Sequence, residues 1–305
     1  MGKILKIFFI ITLALNCNVS LSASSKHNFD PFYKDFIALH EYHKDHKNLP
    51  KDARIEKIIH QFWIGPKLLP DPYKYTTSSC KLDGFEHKMW TNDNYESLLA
   101  DSPEYRKVFD KIPAYDWAVK KDYLSYLALK KYGGASIDAS ILCNSNINFL
   151  HEHYNHYIIY QYDYLGRDKP HAALAAATII GMKKNGIIVN DLVGRFANFI
   201  DHYSDYNNKY SSDKASFDTS LFHGWMGQII INEAIHDYCF TKFNGKMCHD
   251  TYIIAPDEQY QQYRMGEKFS KAKIKFIDID SIPTSYVIKS FYTEVTNIYD
   301  ILGIK

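Results

Sequence analysis

The sequence predicts one α/β domain built on a mostly parallel mixed sheet flanked by helices, and three stretches carry that prediction. "KIIHQFWIG" (57–65) is an apolar run of strand length, ended by Gly65-Pro66. Residues 115–132 change to helical spacing, and Gly133-Gly134 stop them. "ASIDASIL" (135–142) then returns to a period of two, and a strand, helix, strand order favours parallel pairing. A chain of 305 residues, 46% of them hydrophobic, can bury one large core of this kind.

Taken in order, "MGKILKIFFIITLALNCNVSLSASS" has two early lysines, an apolar run from Ile7 to Leu15 and small residues at Ser20, Ser22 and Ala23. That is the pattern of a signal peptide over residues 1–23. The run is too short for a bilayer, which takes roughly 20 apolar residues, so no stable membrane span is expected. An uncleaved anchor and a lipoprotein through Cys17 are weaker alternatives. Residues 24–54 read as a polar helical lead-in ending near Pro50. His40, His43 and His46 recur there at steps of three, but the interleaved Lys and Glu make a solvated face the expected reading over a metal site.

The main domain runs from 55 to 305. "HKMWTND" supplies a second strand, expected, like 57–65, to be buried on both sides. In 115–132 the packed side is Val119, Tyr123, Leu124, Leu127 and Ala128, with lysines outside. "GIIVNDLVGRFANFIDHY" places Ile188, Leu192, Phe196, Phe199 and Tyr203 on one helical stripe. Residues 204–220 form a polar loop, and "HGWMGQIIINEAIHDY" opens a further helix behind a glycine turn. "TYIIAPDEQYQQY" and "IKFIDIDSIP" read as late strands.

Charge and cysteines narrow the function classes. The net charge is +1, and losing Lys3 and Lys6 with a leader takes it to about −1, against a nucleic-acid binder with its basic surplus. Without Cys17, four cysteines remain, so disulfides are permitted. Cys239 and Cys248 bracket an Asn-Gly turn and are expected to pair as the arms of a hairpin; the other reading leaves all four free. There is no GxSxG elbow, P-loop or GxGxxG. Cys143 has no partner base, and His151, His153 and His156 lack zinc spacing.

Strand ends remain as the place for chemistry, since parallel-sheet proteins bind ligands there. Trp63 closes the first strand, and Asp138 and Ser140 close a later one. If the strand continues, the two point the same way. Asp122 and Ser125 share a helix face at i, i+3. A carboxylate within "GGASIDASIL" is costly to bury unless paired, hydrogen-bonded or on a metal.

At these residues the chain resembles the glycosyltransferases that carry a DXD sugar-binding region, family 32-like, which include fungal outer-chain mannosyltransferases and capsular polysaccharide synthesis proteins. It is more distantly similar to clostridial glucosylating toxins. The resemblance rests on "KIIHQFWIG", "WTND" and "AVKKDYLSYLALKKYGGASIDAS", and covers roughly 55–200. It implies a GT-A-like nucleotide-diphospho-sugar transferase fold, and sugar transfer from a UDP- or GDP-sugar to a glycan or protein hydroxyl, with retention. It also implies Mn²⁺ or Mg²⁺ bridging the donor phosphates. By the same resemblance Trp63 stacks on the base, Asp122 holds sugar or ribose hydroxyls, and Asp138 contacts ribose, sugar or cation. Asp138 and Asp122 are then the catalytic pair. Ser125, Gly134 and Ser140 join them on the donor side with Trp225, and Asp138, Ser140 and His223 form the metal set.

The departures matter equally. Ser140 stands where DXD has its second carboxylate, although Asp-Ala-Thr is a familiar form in the capsular branch. Ser125 stands where such families commonly carry a donor-contacting arginine, for which Lys120 or Lys121 could compensate as a point charge. The alternative function is a non-catalytic descendant that binds sugar or a protein partner. The leader implies export: the Golgi lumen in a eukaryote, or the periplasm or exterior in a bacterium.

Overall fold

The strand, helix, strand order of the central segment holds. The computed structural model describes residues 30–43, 49, 54–143, 147–163, 171–202, 219–241, 248–254, 259–261 and 287–289. These belong to one unit, Phe29–His202 with Asp218–Lys305; a second, Met1–Asn28 with Tyr203–Phe217, lies outside the described residues, as do the leader, His46, Tyr203 and the strand expected at 274–283.

In chain order the elements are α1 (Asp30–His43), β1 (Ile58–Phe62), α2 (Asp71–Ser79), β2 (Glu86–Trp90), α3 (Glu96–Leu99), α4 (Pro103–Lys111), α5 (Trp117–Tyr132), β3 (Gly134–Ile137) and β4 (Ile141–Cys143). There follow α6 (Ile147–His153), β5 (His156–Asp163), β6 (His171–Met182), α7 (Ile187–Asp201), α8 (Thr219–His236), β7 (Thr251–Ile254), β8 (Gln259–Gln261) and β9 (Val287–Lys289). The main sheet has the order β2-β1-β3-β6-β5-β7. β1 is parallel to β2 and β3, and β5 to β7; only β6 runs against its neighbours. It is the mostly parallel mixed sheet that the sequence predicts. A small second sheet, β4-β9-β8, takes up the chain after β3.

The boundaries of α5 have clear causes. Asp116 caps its first turn by accepting the Val119 amide at 3.2 Å, and Gly133 ends it at φ +71°. Gly134 follows at φ +95° against β1, where a Cβ would strike the Ile58 carbonyl. Strand pairing leaves no room to relieve that contact. Gly134→Ala is therefore expected to cost about 3 kcal/mol or more, read as a lower urea midpoint at unchanged m.

Several expectations are corrected. Among the described residues β2 is an edge strand paired on one side only, and just Trp90 in it is buried. In α1, Phe36, Leu39, His40 and His43 are buried, at the i, i+3, i+4, i+7 spacing of an inward face. His40 donates to the Ile253 carbonyl and His43 to the Cys248 carbonyl, each at 3.0 Å, so these imidazoles are satisfied core groups and not a solvated face. The lysines of α5 are not all outside either: Lys120 is buried, its ammonium 4.7 Å from the Phe109 ring and 4.9 Å from that of Trp117. The "HGWMG" segment lies within α8 and makes no turn. Cys239 and Cys248 do pair, but Cys239 sits in a π-helical turn, Asp237–Thr241, and not on a hairpin arm. Cys80 and Cys143 form a second disulfide.

His151, outside α1, is also a satisfied core group. His151 is bonded to Glu56 O at 2.9 Å and Tyr157 OH at 2.8 Å, and burial lowers its pKa to about 4. Among the described residues no helix is long and apolar enough to cross a membrane.

Candidate active site

Two loops and a helix meet at the carboxyl ends of β1 and β3. The first leaves β1 at Trp63, whose amide is held by the Trp90 carbonyl at 2.8 Å. Its indole N–H donates to the Lys67 carbonyl at 2.8 Å, and its ring lies 5.2 Å from that of Tyr73 on α2. Asn92, from the "WTND" segment, clamps this loop: its Oδ1 accepts from Gly65 N at 2.9 Å and its Nδ2 donates to Gly65 O at 2.7 Å. Gly65 adopts φ +105°, and the Trp117 ring fills the space where a side chain would begin.

The second loop is Asp138-Ala139-Ser140, which is a turn and not the strand continuation that would point Asp138 and Ser140 the same way. β3 ends at Ile137, and the Ile141 amide closes the turn on the Asp138 carbonyl at 3.0 Å. The chain must break here because Asp138 N pairs with Thr178 O of β6 while Ile141 begins a different sheet with β9. Buried Gln61 of β1 supports the turn through Nε2 to the Asp138 carbonyl at 3.4 Å, and its own Oε1 is bonded to His87 at 2.8 Å. Thr76 of α2 donates to the Ala139 carbonyl. The Cys80–Cys143 disulfide ties the end of α2 to the end of β4.

One further tie sets the helix that supplies the third side of the site. Burial lowers the pKa of His60 to about 4, so the ring is neutral. Its Nδ1 accepts from Trp90 Nε1 at 3.1 Å, leaving Nε2–H to donate to the Gly133 carbonyl at 2.8 Å. β1 thereby pins the junction of α5 and β3.

From α5 come Lys121 and Asp122. Lys121 Nζ lies 2.6 Å from Asp138 Oδ1 and 2.9 Å from Asp122 Oδ1. The three side chains are 21%, 25% and 16% exposed in the order Lys121, Asp138, Asp122, so they are largely but not fully withdrawn from water. Burial pushes the Asp122 carboxyl up, and Lys121 opposes that shift. Burial also works against the Lys121 charge, but Asp122 and Asp138 outweigh it and hold its pKa above the usual lysine value. The Tyr73 phenol is raised by burial and then by Asp138, which places it electrically in the same cluster.

Trp63, Asp122 and Asp138 thus lie about one place. Ser125 is fully buried and its hydroxyl donates to the Asp122 carbonyl at 2.7 Å, so it acts within α5. Gly134 is buried against β1, and Ser140 stands in the turn. His223 and Trp225 fall on α8, but their side chains lie outside the described residues. Asn92, Gln61, Thr76 and Lys121 are the participants that pattern reading leaves out or mentions only in passing. The signal for Lys121 is its place beside Asp122 on a helix that proves buried almost all round.

As arranged, these residues do not fit a bare divalent cation. Asp138 already holds an ammonium, Ser140 brings a neutral hydroxyl, and among the described residues no group of three or more His, Cys, Asp or Glu could hold a metal ion.

No family model matches the chain. It is 36% identical over 98 residues to an uncharacterized glycosyltransferase of Acanthamoeba polyphaga mimivirus, a match covering 30% of this chain and 38% of that protein. It is 30% identical over 102 residues to inositol phosphoceramide mannosyltransferase 3 of Schizosaccharomyces pombe, covering 32% of this chain and 28% of the relative. The matches therefore span well under half of either relative. Among solved structures, the PaToxG glycosyltransferase aligns over 68% of this chain and 80% of its own, at 15% identity and a TM-score of 0.40, too slight a likeness to carry an argument. The similarity that counts is partial and to proteins named as glycosyltransferases.

Proposed function

We propose that the chain is a glycosyltransferase that moves a sugar from a UDP- or GDP-sugar to a hydroxyl of a glycan or protein, with retention at the anomeric carbon. The observation that carries this reading is the convergence of Trp63, Asp122 and Asp138 at the ends of β1 and β3, in a chain partly similar to named sugar transferases. Trp63 offers an aromatic face for the base. Asp122 and Asp138 accept hydrogen bonds from ribose or sugar hydroxyls and fix the donor, which supplies much of the rate through positioning. In the transfer the acceptor oxygen bonds to the anomeric carbon and gives its proton to the departing diphosphate oxygen, as the bond to the diphosphate breaks with its electron pair leaving on the phosphate. Lys121 hydrogen-bonds two carboxylates, and its third N–H has no partner among the described residues. A cationic donor at this site would stabilise charge developing on the departing phosphate. Mn²⁺ or Mg²⁺ enters this reading only alongside the phosphates, whose oxygens add to what Asp138 and Ser140 offer.

Maturation in an oxidising compartment belongs to the same proposal. Two buried disulfides support it, since such bonds persist in secretory lumens and outside cells. No observation favours the non-catalytic alternative.

The test is turnover of a panel of UDP- and GDP-sugars, with acceptor-free hydrolysis counted. Release of nucleoside diphosphate from one donor, with the sugar product first appearing in the donor's anomeric configuration, is expected. Absence of release from every donor, with and without Mn²⁺, would overturn the reading.

A further inference from the structure

The Lys121 bridge has a consequence that does not depend on which sugar is moved, although it rests on the donor-site reading above. Two carboxylates held within reach of each other and partly shielded from water form an attractive place for a divalent cation. Here that place is taken by a side chain. Lys121 leaves α5 beside Asp122, spans to the turn after β3 and holds Asp138 Oδ1 at 2.6 Å. The turn is itself fixed by Gln61, Thr76 and the Thr178 carbonyl, so Asp138 does not have to move to meet the ammonium.

We propose that Lys121 is the built-in counter-ion of the donor site, keeping a free divalent cation off Asp138 and Asp122. The physical reason is competition. An incoming ion must lose part of its hydration and displace an ammonium already in contact with both acids, while Ser140 adds no charge to help it. The lysine is a positioning group for the acids.

The experiment is calorimetric titration of the full chain with Mn²⁺ alone, using wild type, Lys121→Met, Lys121→Arg and Lys121→Met/Asp138→Asn. Wild type and Lys121→Arg should bind Mn²⁺ only in the millimolar range. Lys121→Met should gain roughly 10- to 100-fold in affinity, the scale of one charge-assisted contact, and the double variant should lose that gain. Should Lys121→Met fail to fold, Lys121→Met/Asp122→Asn, which removes one of the two stranded carboxylates, is expected to show a smaller gain over Asp122→Asn alone. Wild type binding Mn²⁺ as tightly as Lys121→Met, or, where Lys121→Met does not fold, no gain in Lys121→Met/Asp122→Asn over Asp122→Asn, would overturn the proposal. Because the readout is metal alone, that failure is distinct from failure to turn over any nucleotide sugar, which strikes the donor-site reading itself.

Discussion

Asp138→Ala is expected to lower donor turnover by roughly 100- to 1,000-fold, the scale found when one preorganised polar contact to a reacting group is removed. It should also destabilise the protein. Removal of the Asp138 carboxylate leaves the Lys121 ammonium with Asp122 alone, at 2.9 Å. Breaking a fully buried pair costs about 3–5 kcal/mol, and partial exposure here puts the loss nearer roughly 2 kcal/mol. Asp138→Asn separates the two effects. It keeps a hydrogen-bond acceptor of the same shape for Lys121, so its stability should fall less than that of Asp138→Ala while its turnover falls by a similar factor. Chemical denaturation and kcat/KM on the same preparations check both. Equal turnover in wild type and Asp138→Ala would remove Asp138 from the site.

The second large effect concerns the Cys80–Cys143 disulfide. It closes a stretch of 63 residues that contains β2, α5 and β3, whereas Cys239–Cys248 closes 9. On the chain-entropy account, which is model-dependent, the longer loop is worth about 4 kcal/mol and the shorter about 3. Cys80→Ser/Cys143→Ser should therefore lower the unfolding free energy more than Cys239→Ser/Cys248→Ser, measured by urea denaturation without reductant. The longer loop also holds the site, since Cys80 ends the helix that bears Tyr73 and Thr76, and Cys143 ends the strand that follows the Asp138 turn. Its loss should weaken donor binding as well as stability. Loss of the shorter bridge should leave donor binding unchanged.

How much of this was legible beforehand depends on the kind of signal. The sheet core was, because β1, α5 and β3 are specified locally, by apolar runs, helical spacing and a glycine pair. The Cys239–Cys248 pairing was legible from the short spacing, but its hairpin was not: Asn-Gly favours such a turn, and Cys239 lies in the π-helical turn that follows α8. The break at Asp138-Ala139-Ser140 was hidden because "ASIDASIL" alternates throughout, and only the partners of its two halves, β6 and β9, show that they belong to different sheets. The inward face of α1 is hidden in the sequence for a related reason. His40 and His43 count as polar in a pattern, yet a histidine that donates to a backbone carbonyl is content in a core. Lys121 shows the limit most plainly: its place in the sequence suggests a solvated lysine, and only the packing of α5 against β3 brings it to Asp138.

The central claim is that the ends of β1 and β3 form a nucleotide-sugar site. Calorimetric titration of the protein with UDP and GDP in the presence of Mn²⁺, repeated on Asp138→Asn, tests it most directly. Saturable binding of one nucleotide is expected, at least roughly tenfold weaker in the variant, the effect of about one charged contact. Absence of binding of either nucleotide at millimolar concentration to a folded wild-type protein would contradict it.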